Sequence, residues 1–327
     1  MSNSLTLSQI QNPIDKELIY FSKFFKNSLK SSLPIVDTII KYIIRQKGKQ
    51  IRPTLVLLAA KAVGEINDSS YRGAALVEIL HTATLVHDDV VDDADTRRGF
   101  PSINSIWKNK IAVLIGDYFL STGLMLSIDK NDFEFLKVTS RSVKLMTEGE
   151  ILQIHKSRTY DINEETYFKI ISGKTASLFT TCVDIGAFST TKKKSFHNAL
   201  HNYGTAVGMA FQIKDDILDY TSRTNILGKP IGGDLREKKI TLPLIYALKN
   251  VSKNESSKIL SMIRKGVTTS DVLEITNFVT QNGGIDYAIE KATEFSNTAI
   301  KSIVVLPNTP AKASLLNFAN FVISRNK

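Results

Sequence analysis

Between residues 71 and 92, apolar side chains fall at Ala75, Leu76, Ile79, Leu80, Ala83, Val86 and Val90, a step of three to four residues. That spacing lines one face of an α-helix. The same period runs through 35–47, 111–128, 133–156, 164–188, 195–220 and 240–250. Apolar–polar alternation bounded by tight turns, the mark of strands, is scarce. The pattern predicts an almost wholly α-helical chain, broken near 47–50, 64–69, 98–102, 130, 158–163, 189–194 and 222–234. The most apolar stretch, 111–128, is interrupted by Asp117 and contains Gly116 and Gly123. A membrane helix needs about 20 mostly apolar residues, so this one reads as a buried core helix.

Composition narrows the picture a little. With 43% hydrophobic residues in 327, a large core forms without disulfides or structural metal. Cys182 is the single cysteine and has no partner within the chain, which fits a reducing compartment. Residues 1–12 are polar and carry no secretory pattern, so the expected location is the cytoplasm. The net charge of +10 suits nucleic acid, anionic lipid or phosphorylated small molecules. The lysines are dispersed, and the compact run Lys192–Lys194 reads as a solvated loop without interleaved aromatics. No nucleic-acid signature accompanies it, so no nucleic-acid partner is expected.

The chemistry lies in two acidic segments, Asp88-Asp89-Val90-Val91-Asp92 and Asp215-Asp216-Ile217-Leu218-Asp219. Each ends an apolar helical stretch and precedes a basic, glycine-containing loop. On a helix Asp88 and Asp92 project together with Asp89 beside them, as do Asp215 and Asp219 with Asp216. Like charges crowded at a helix C-terminus are unfavourable without a cation. Hard oxygen donors without paired His or Cys suit Mg²⁺, which fills its shell with water and phosphate. One such segment could be a solvated helix end; two, placed alike, argue for a site. Neither has the ligand spacing or loop glycine of an EF-hand. Lys49, Arg52, Arg97, Arg98, Lys174, Lys229 and Lys239 add groups suited to phosphate. Each alone reads as surface charge. Together they describe two anion sites, one bridged by metal and one bound directly.

Six pieces of the chain resemble the trans-isoprenyl diphosphate synthases, or polyprenyl synthetases. They are G-K-Q-I-R (48–52), E-I-L-H-T-A-T-L-V-H-D-D-V-V-D (78–92), R-R-G (97–99), G-K-T-A (173–176), G-M-A-F-Q-I-K-D-D-I-L-D (208–219) and G-K-P-I-G-G-D-L-R-E-K-K (228–239). The motif-bearing region runs from about 40 to 250 of a single domain spanning 1–327, with a helical segment in 1–30. The resemblance implies an all-α fold, one large helical bundle surrounding a deep central cavity, as a homodimer. It implies that an allylic diphosphate ionises with Mg²⁺, about three ions per active site, whose shells are shared with phosphate. The cation is then attacked by isopentenyl diphosphate and a proton is lost, released pyrophosphate being the acceptor. Asp88, Asp92 and Asp215 are expected to ligate the metal, with Asp89, Asp216 and Asp219 assisting, some through water. Arg97, Lys174, Lys229 and Lys239 are expected on the allylic diphosphate. Lys49, Arg52, His81 and Arg98 are expected on isopentenyl diphosphate; His81 lies about two turns before Asp88, on the same face. Thr175 and Gln212 are expected to face the developing cation.

In this family the residues four and five positions before the first aspartate bear on product length. Here they are Ala83 and Thr84, both small. From residue 77 to residue 88 the helix rises roughly 16 Å, which leaves depth for several isoprene units; the resemblance implies a medium- to long-chain product of about six to nine units, about C30–C45. Such a product suits a quinone side chain and needs at most peripheral membrane contact for release. The alternatives are a shorter farnesyl or geranylgeranyl product, a class I terpene cyclase or squalene-type synthase, a helper subunit, and a purely structural helical protein. Cyclases generally carry an Asn/Ser/Glu-type second motif, helper subunits lack acidic motifs, and a structural role leaves both acidic clusters unexplained.

Overall fold

The computed structural model describes residues 5–46, 48–97, 99–160, 163–221 and 232–325. Its first helices are α1 (Leu7–Gln11), α2 (Asp15–Ser28), α3 (Pro34–Arg45), α4 (Ile51–Val63), α5 (Asp68–Val91), α6 (Ile103–Ile128), α7 (Phe133–Thr159) and α8 (Glu164–Ile171). A π-helical turn over Ser172–Ala176 leads into α9 (Ser177–Thr190) and α10 (Lys194–Thr221). Then come α11 (Gly233–Arg236), α12 (Leu242–Lys249), α13 (Lys253–Lys265), α14 (Thr269–Gln281), α15 (Gly284–Ser302) and α16 (Pro310–Ser324). The strands among the described residues form one small hairpin, β1 (Thr96–Arg97) antiparallel to β2 (Phe100–Pro101).

Helices α4 and α9 sit at the centre. Every residue of α4 from Pro53 to Ala60, and of α9 from Leu178 to Ala187, is buried. A helix apolar on all sides has no solvent face and must be enclosed. Their approach depends on Gly186, where a Cβ would lie 2.4 Å from the Val56 carbonyl oxygen. Helix α10 joins two cores. Its Tyr203 and Val207 pack with α4, α9 and α16, and its Ile213 and Ile217 pack with α12, α14 and α15. Helix α5 does the same, with Leu76 and Leu80 in the central cluster and Ile79, Ala83 and Val86 against α6. Each acidic segment thus ends a helix pinned by two cores.

Two elements depart from the pattern-based expectation. The stretch 164–188 is not one helix: α8 and α9 are separated by the π-turn that carries Lys174 and Thr175. The turn is pressed against α7, where a Cβ on Gly173 would lie 2.7 Å from the Leu145 carbonyl oxygen. The reading of 111–128 as a buried core helix also needs correction. Ala112, Ile115, Gly116, Phe119 and Gly123 of α6 are buried, whereas Leu114 is 62% exposed and Val113, Leu124, Met125 and Ile128 are exposed with it. By length and composition α6 could cross a membrane, but its inner face is used by α5. Periodicity could not show this, because the exposed face is largely apolar as well, with Asp117 and Ser121 as its polar positions.

Candidate functional site

The first acidic segment is delivered by a well-capped helix. Asn67 accepts hydrogen bonds from the Ser69 and Ser70 amides at 2.9 and 3.3 Å and starts α5. Asp92 ends it, its amide donating to the Asp88 carbonyl at 2.8 Å. Asp88 and Asp92 are exposed, while Asp89 is 2% exposed and accepts from Arg97 Nε at 2.6 Å. Arg97, expected on substrate, therefore also pairs with the buried middle aspartate. Crowding by protein pushes the Asp88 carboxyl above its ordinary range, and Glu150 adds to this; Lys174 and Arg97 pull it back.

Lys174 stands on the π-turn opposite. Its ammonium pairs with the Glu150 carboxylate and donates to Gln153 Oε1 at 2.8 Å. Glu150 and Gln153 lie three residues apart on α7, where Gly149 lets the backbones meet: a Cβ there would be 3.0 Å from the Lys174 amide nitrogen. Lys174 acts electrostatically on both Asp88 and Asp234, so the two acidic regions share one cation. Such π-turns often mark functional positions.

In the second segment the three aspartates do different things. Asp215 is half-exposed and accepts from Arg325 at 2.6 Å; burial raises its carboxyl, while Arg325 and Lys49 oppose the rise. Asp216 is buried and accepts from the Tyr167 hydroxyl at 2.6 Å and from Gln212 Nε2 at 2.8 Å. Asp219 accepts from the amides of Gly233 and Asp234 at 3.0 and 3.1 Å, holding the short helix α11 in place. Burial and then Asp219 push the Asp234 carboxyl up to about 6. Lys239 pairs with Glu237.

Lys174, Thr175, Gln212, Asp216, Asp234 and Lys239 share the lining of a cavity of about 70 Å³. His81, Asp89 and Arg97 line a second of about 260 Å³, with Phe25, Ile43, Leu85 and Val86 on its apolar side. Gly48 and Gln50 reach this second cavity, while Lys49 bears on Asp215. Arg52 and Glu78 both act on buried Cys182. Ala83 is fully buried between α5 and α6, near Phe119, and Thr84 is half-buried with its hydroxyl donating to the His81 carbonyl at 2.9 Å. Neither lines either of these cavities. Arg98 and Lys229 lie outside the described residues.

Sequence reasoning missed Glu150, Gln153, Tyr167, Asp234 and Arg325. Asp234 stands inside a quoted motif and Glu150 follows a glycine three residues before Gln153, so both left a trace. Arg325 left none, being 110 positions from its partner.

Among the described residues, no group of three or more His, Cys, Asp or Glu is gathered tightly enough to hold a metal alone. That fits Mg²⁺, which is usually held by one or two carboxylates and completes its shell with phosphate and water. The donor set is all oxygen, and the exposed Asp88 carboxylate feels Lys174 and Arg97, cations suited to a phosphate.

The sequence pattern of the polyprenyl synthetase family matches residues 33–279. The chain belongs to the polyprenyl synthetase family. It is therefore a prenyltransferase that lengthens an allylic diphosphate with isopentenyl diphosphate, in a family that depends on Mg²⁺. Among its relatives is the all-trans-nonaprenyl-diphosphate synthase (geranyl-diphosphate specific) of Rhodobacter capsulatus, 37% identical over 96% of this chain and 96% of that protein. Another is the octaprenyl diphosphate synthase of Haemophilus influenzae, 32% identical over 98% of each. The crystal structure of a polyprenyl synthase from Caulobacter crescentus CB15, complexed with calcium and isoprenyl diphosphate, superposes with a TM-score of 0.92 at 30% identity, covering 100% of both chains. The all-α fold expected from sequence is thus the fold of solved polyprenyl synthases.

Proposed function

We propose that this enzyme builds a medium- to long-chain all-trans polyprenyl diphosphate of about six to nine isoprene units, along a helix rising about 1.5 Å per residue. The observation that carries the site is Lys174, one ammonium that lines a cavity with Asp234 and Lys239 and also acts electrostatically on Asp88 of the first acidic segment. A diphosphate entering there meets Lys174 and Lys239 directly, and Lys229 belongs to the same set by sequence. Asp88, Asp92 and Asp215 would hold Mg²⁺, about three ions in all, whose shells are completed from outside the protein. When bound, the metal neutralises the leaving group and so makes ionisation accessible. Asp89 and Asp219 act mainly as anchors, Asp89 fixing Arg97 and Asp219 fixing helix α11, which carries Asp234 and leads to Lys239.

Isopentenyl diphosphate takes the other cavity, with His81 on its wall and Lys49, Arg52 and Arg98 as its phosphate partners. Phe25, Ile43 and Leu85 keep that end dry, which protects a cation from water. Thr175 and Gln212 offer oxygen dipoles to the cation. The relatives named for eight- and nine-unit chains support a long product; Ala83 and Thr84 are small but line neither cavity. The exposed apolar face of α6 supports a homodimer in which a second copy covers it. We place the enzyme in the cytoplasm, with peripheral membrane contact at most during product release.

The test is substitution of the metal ligands. Asp88→Ala and Asp215→Ala should each reduce isopentenyl incorporation by about two orders of magnitude or more, as loss of a charge-stabilising group does. Near-normal rates in either variant would remove that residue from the metal site. Allylic diphosphate incubated alone should remain unconsumed, whereas a cyclase would use it.

A further inference from the structure

We propose that Tyr167 is a positioning residue for the ionisation step: with Gln212 it holds the Asp216 carboxylate as a hydrogen-bond hub that aims the Thr175 oxygen at the developing cation. This inference rests on the reading of the site given above.

The direction of the network follows from its chemistry. A carboxylate only accepts. One Asp216 oxygen accepts from the Tyr167 hydroxyl at 2.6 Å, and the other from Gln212 Nε2 at 2.8 Å. With its nitrogen end committed to Asp216, the Gln212 amide turns Oε1 toward Thr175. The Thr175 hydroxyl donates to that oxygen at 2.6 Å. Its single hydrogen is then spent, and its lone pairs remain for the cavity that it lines beside Lys174 and Lys239. Without the hub the amide can flip and the hydroxyl can rotate, presenting a hydrogen where positive charge develops.

The Tyr167 hydroxyl is not there for packing. The ring is 3% exposed and packs with Ile171, Ile213 and Phe168, and a phenylalanine would fill the same space. Burying the hydroxyl adds a desolvation cost that the bond to Asp216 offsets. The arrangement also separates Asp216 from its neighbours in function. Each of its oxygens already accepts a short hydrogen bond in a buried setting, so only its remaining lone pairs are open to a metal. Asp215 and Asp219 have other partners, Arg325 and the α11 amides.

Tyr167→Phe in the full-length enzyme tests this. The expected result is a fall in kcat of about tenfold, the worth of one hydrogen bond in the transition state. KM for both substrates and the Mg²⁺ concentration for half-maximal rate should stay within about twofold of wild type. In a Thr175→Val background the same change should alter kcat by less than about twofold, because the effect travels through Thr175. Calorimetric binding of Mg²⁺ with inorganic pyrophosphate should be unchanged. If Tyr167→Phe unfolds the protein, Asp216→Asn, which keeps the shape and loses an acceptor, should show the same kcat loss at unchanged Mg²⁺ affinity. An unchanged kcat, additive losses with Thr175→Val, or weakened Mg²⁺–pyrophosphate binding would overturn the proposal. An inert wild type would instead overturn the functional reading on which it rests.

Discussion

At the scale of residues, Asp234 shows what burying a carboxyl beside other carboxylates costs. Burial and the neighbouring Asp219 and Glu237 push its carboxyl from 3.8 up to about 6, against the pull of Lys239 and Lys174. A carboxyl raised on folding contributes stability below its unfolded pKa and loses it as pH rises through the folded value. Asp88, Asp215 and Asp216 are raised too and act in the same direction. The unfolding temperature of the metal-free protein should therefore include a loss between about pH 5 and pH 7. Mg²⁺ with pyrophosphate should flatten that slope, since it binds the charged forms. Thermal scans across this range check it; equal slopes with and without ligand would contradict the electrostatic account. The aspartates themselves were legible in the sequence, because spacing on a helix is a local property. Their partners were not. That Arg97 bonds Asp89, that Tyr167 bonds Asp216 and that Arg325 bonds Asp215 depends on how helices meet.

At the scale of elements, the critical contact is α7 against the π-turn. Gly149 and Gly173 bring the two backbones together, and Glu150 and Gln153 then grip Lys174 from α7. Gly173→Ala would set a Cβ 2.7 Å from the Leu145 carbonyl oxygen. The backbone has to shift, at about 1–3 kcal/mol for overpacking. The variant should lose activity beyond its loss of stability, because Lys174 moves with the turn; chemical unfolding and steady-state kinetics on the same sample separate the two. Full activity in Gly173→Ala would mean that this contact does not position Lys174. The helical period over 164–188 gave no sign of the π-turn, since one extra residue per turn hardly disturbs an apolar pattern. The glycines were visible, but their role is set by a neighbour distant in sequence.

At the scale of the whole molecule, the all-α class was readable because strand alternation was nearly absent, and the long helices carry a clear period. What periodicity could not tell is which apolar face meets solvent in one chain. Helix α6 keeps Leu114 at 62% exposure, with Val113, Leu124, Met125 and Ile128 exposed as well and Asp117 and Ser121 among them. A face of this kind is expected to be covered by another copy. Leu114→Glu should shift the protein toward monomer in analytical ultracentrifugation; a wild type that sediments as monomer would remove the dimer from the account. Product length belongs to this scale as well, since it depends on the depth of the bundle beside α5. The most direct measurement is chromatography of the products formed from farnesyl diphosphate and isopentenyl diphosphate, with Mg²⁺ and with the metal chelated. The expected result is a ladder ending at about C30–C45, a range that includes the products of the eight- and nine-unit relatives, and no extension without metal. A product that stops at farnesyl or geranylgeranyl length, or extension that proceeds without metal, would contradict it.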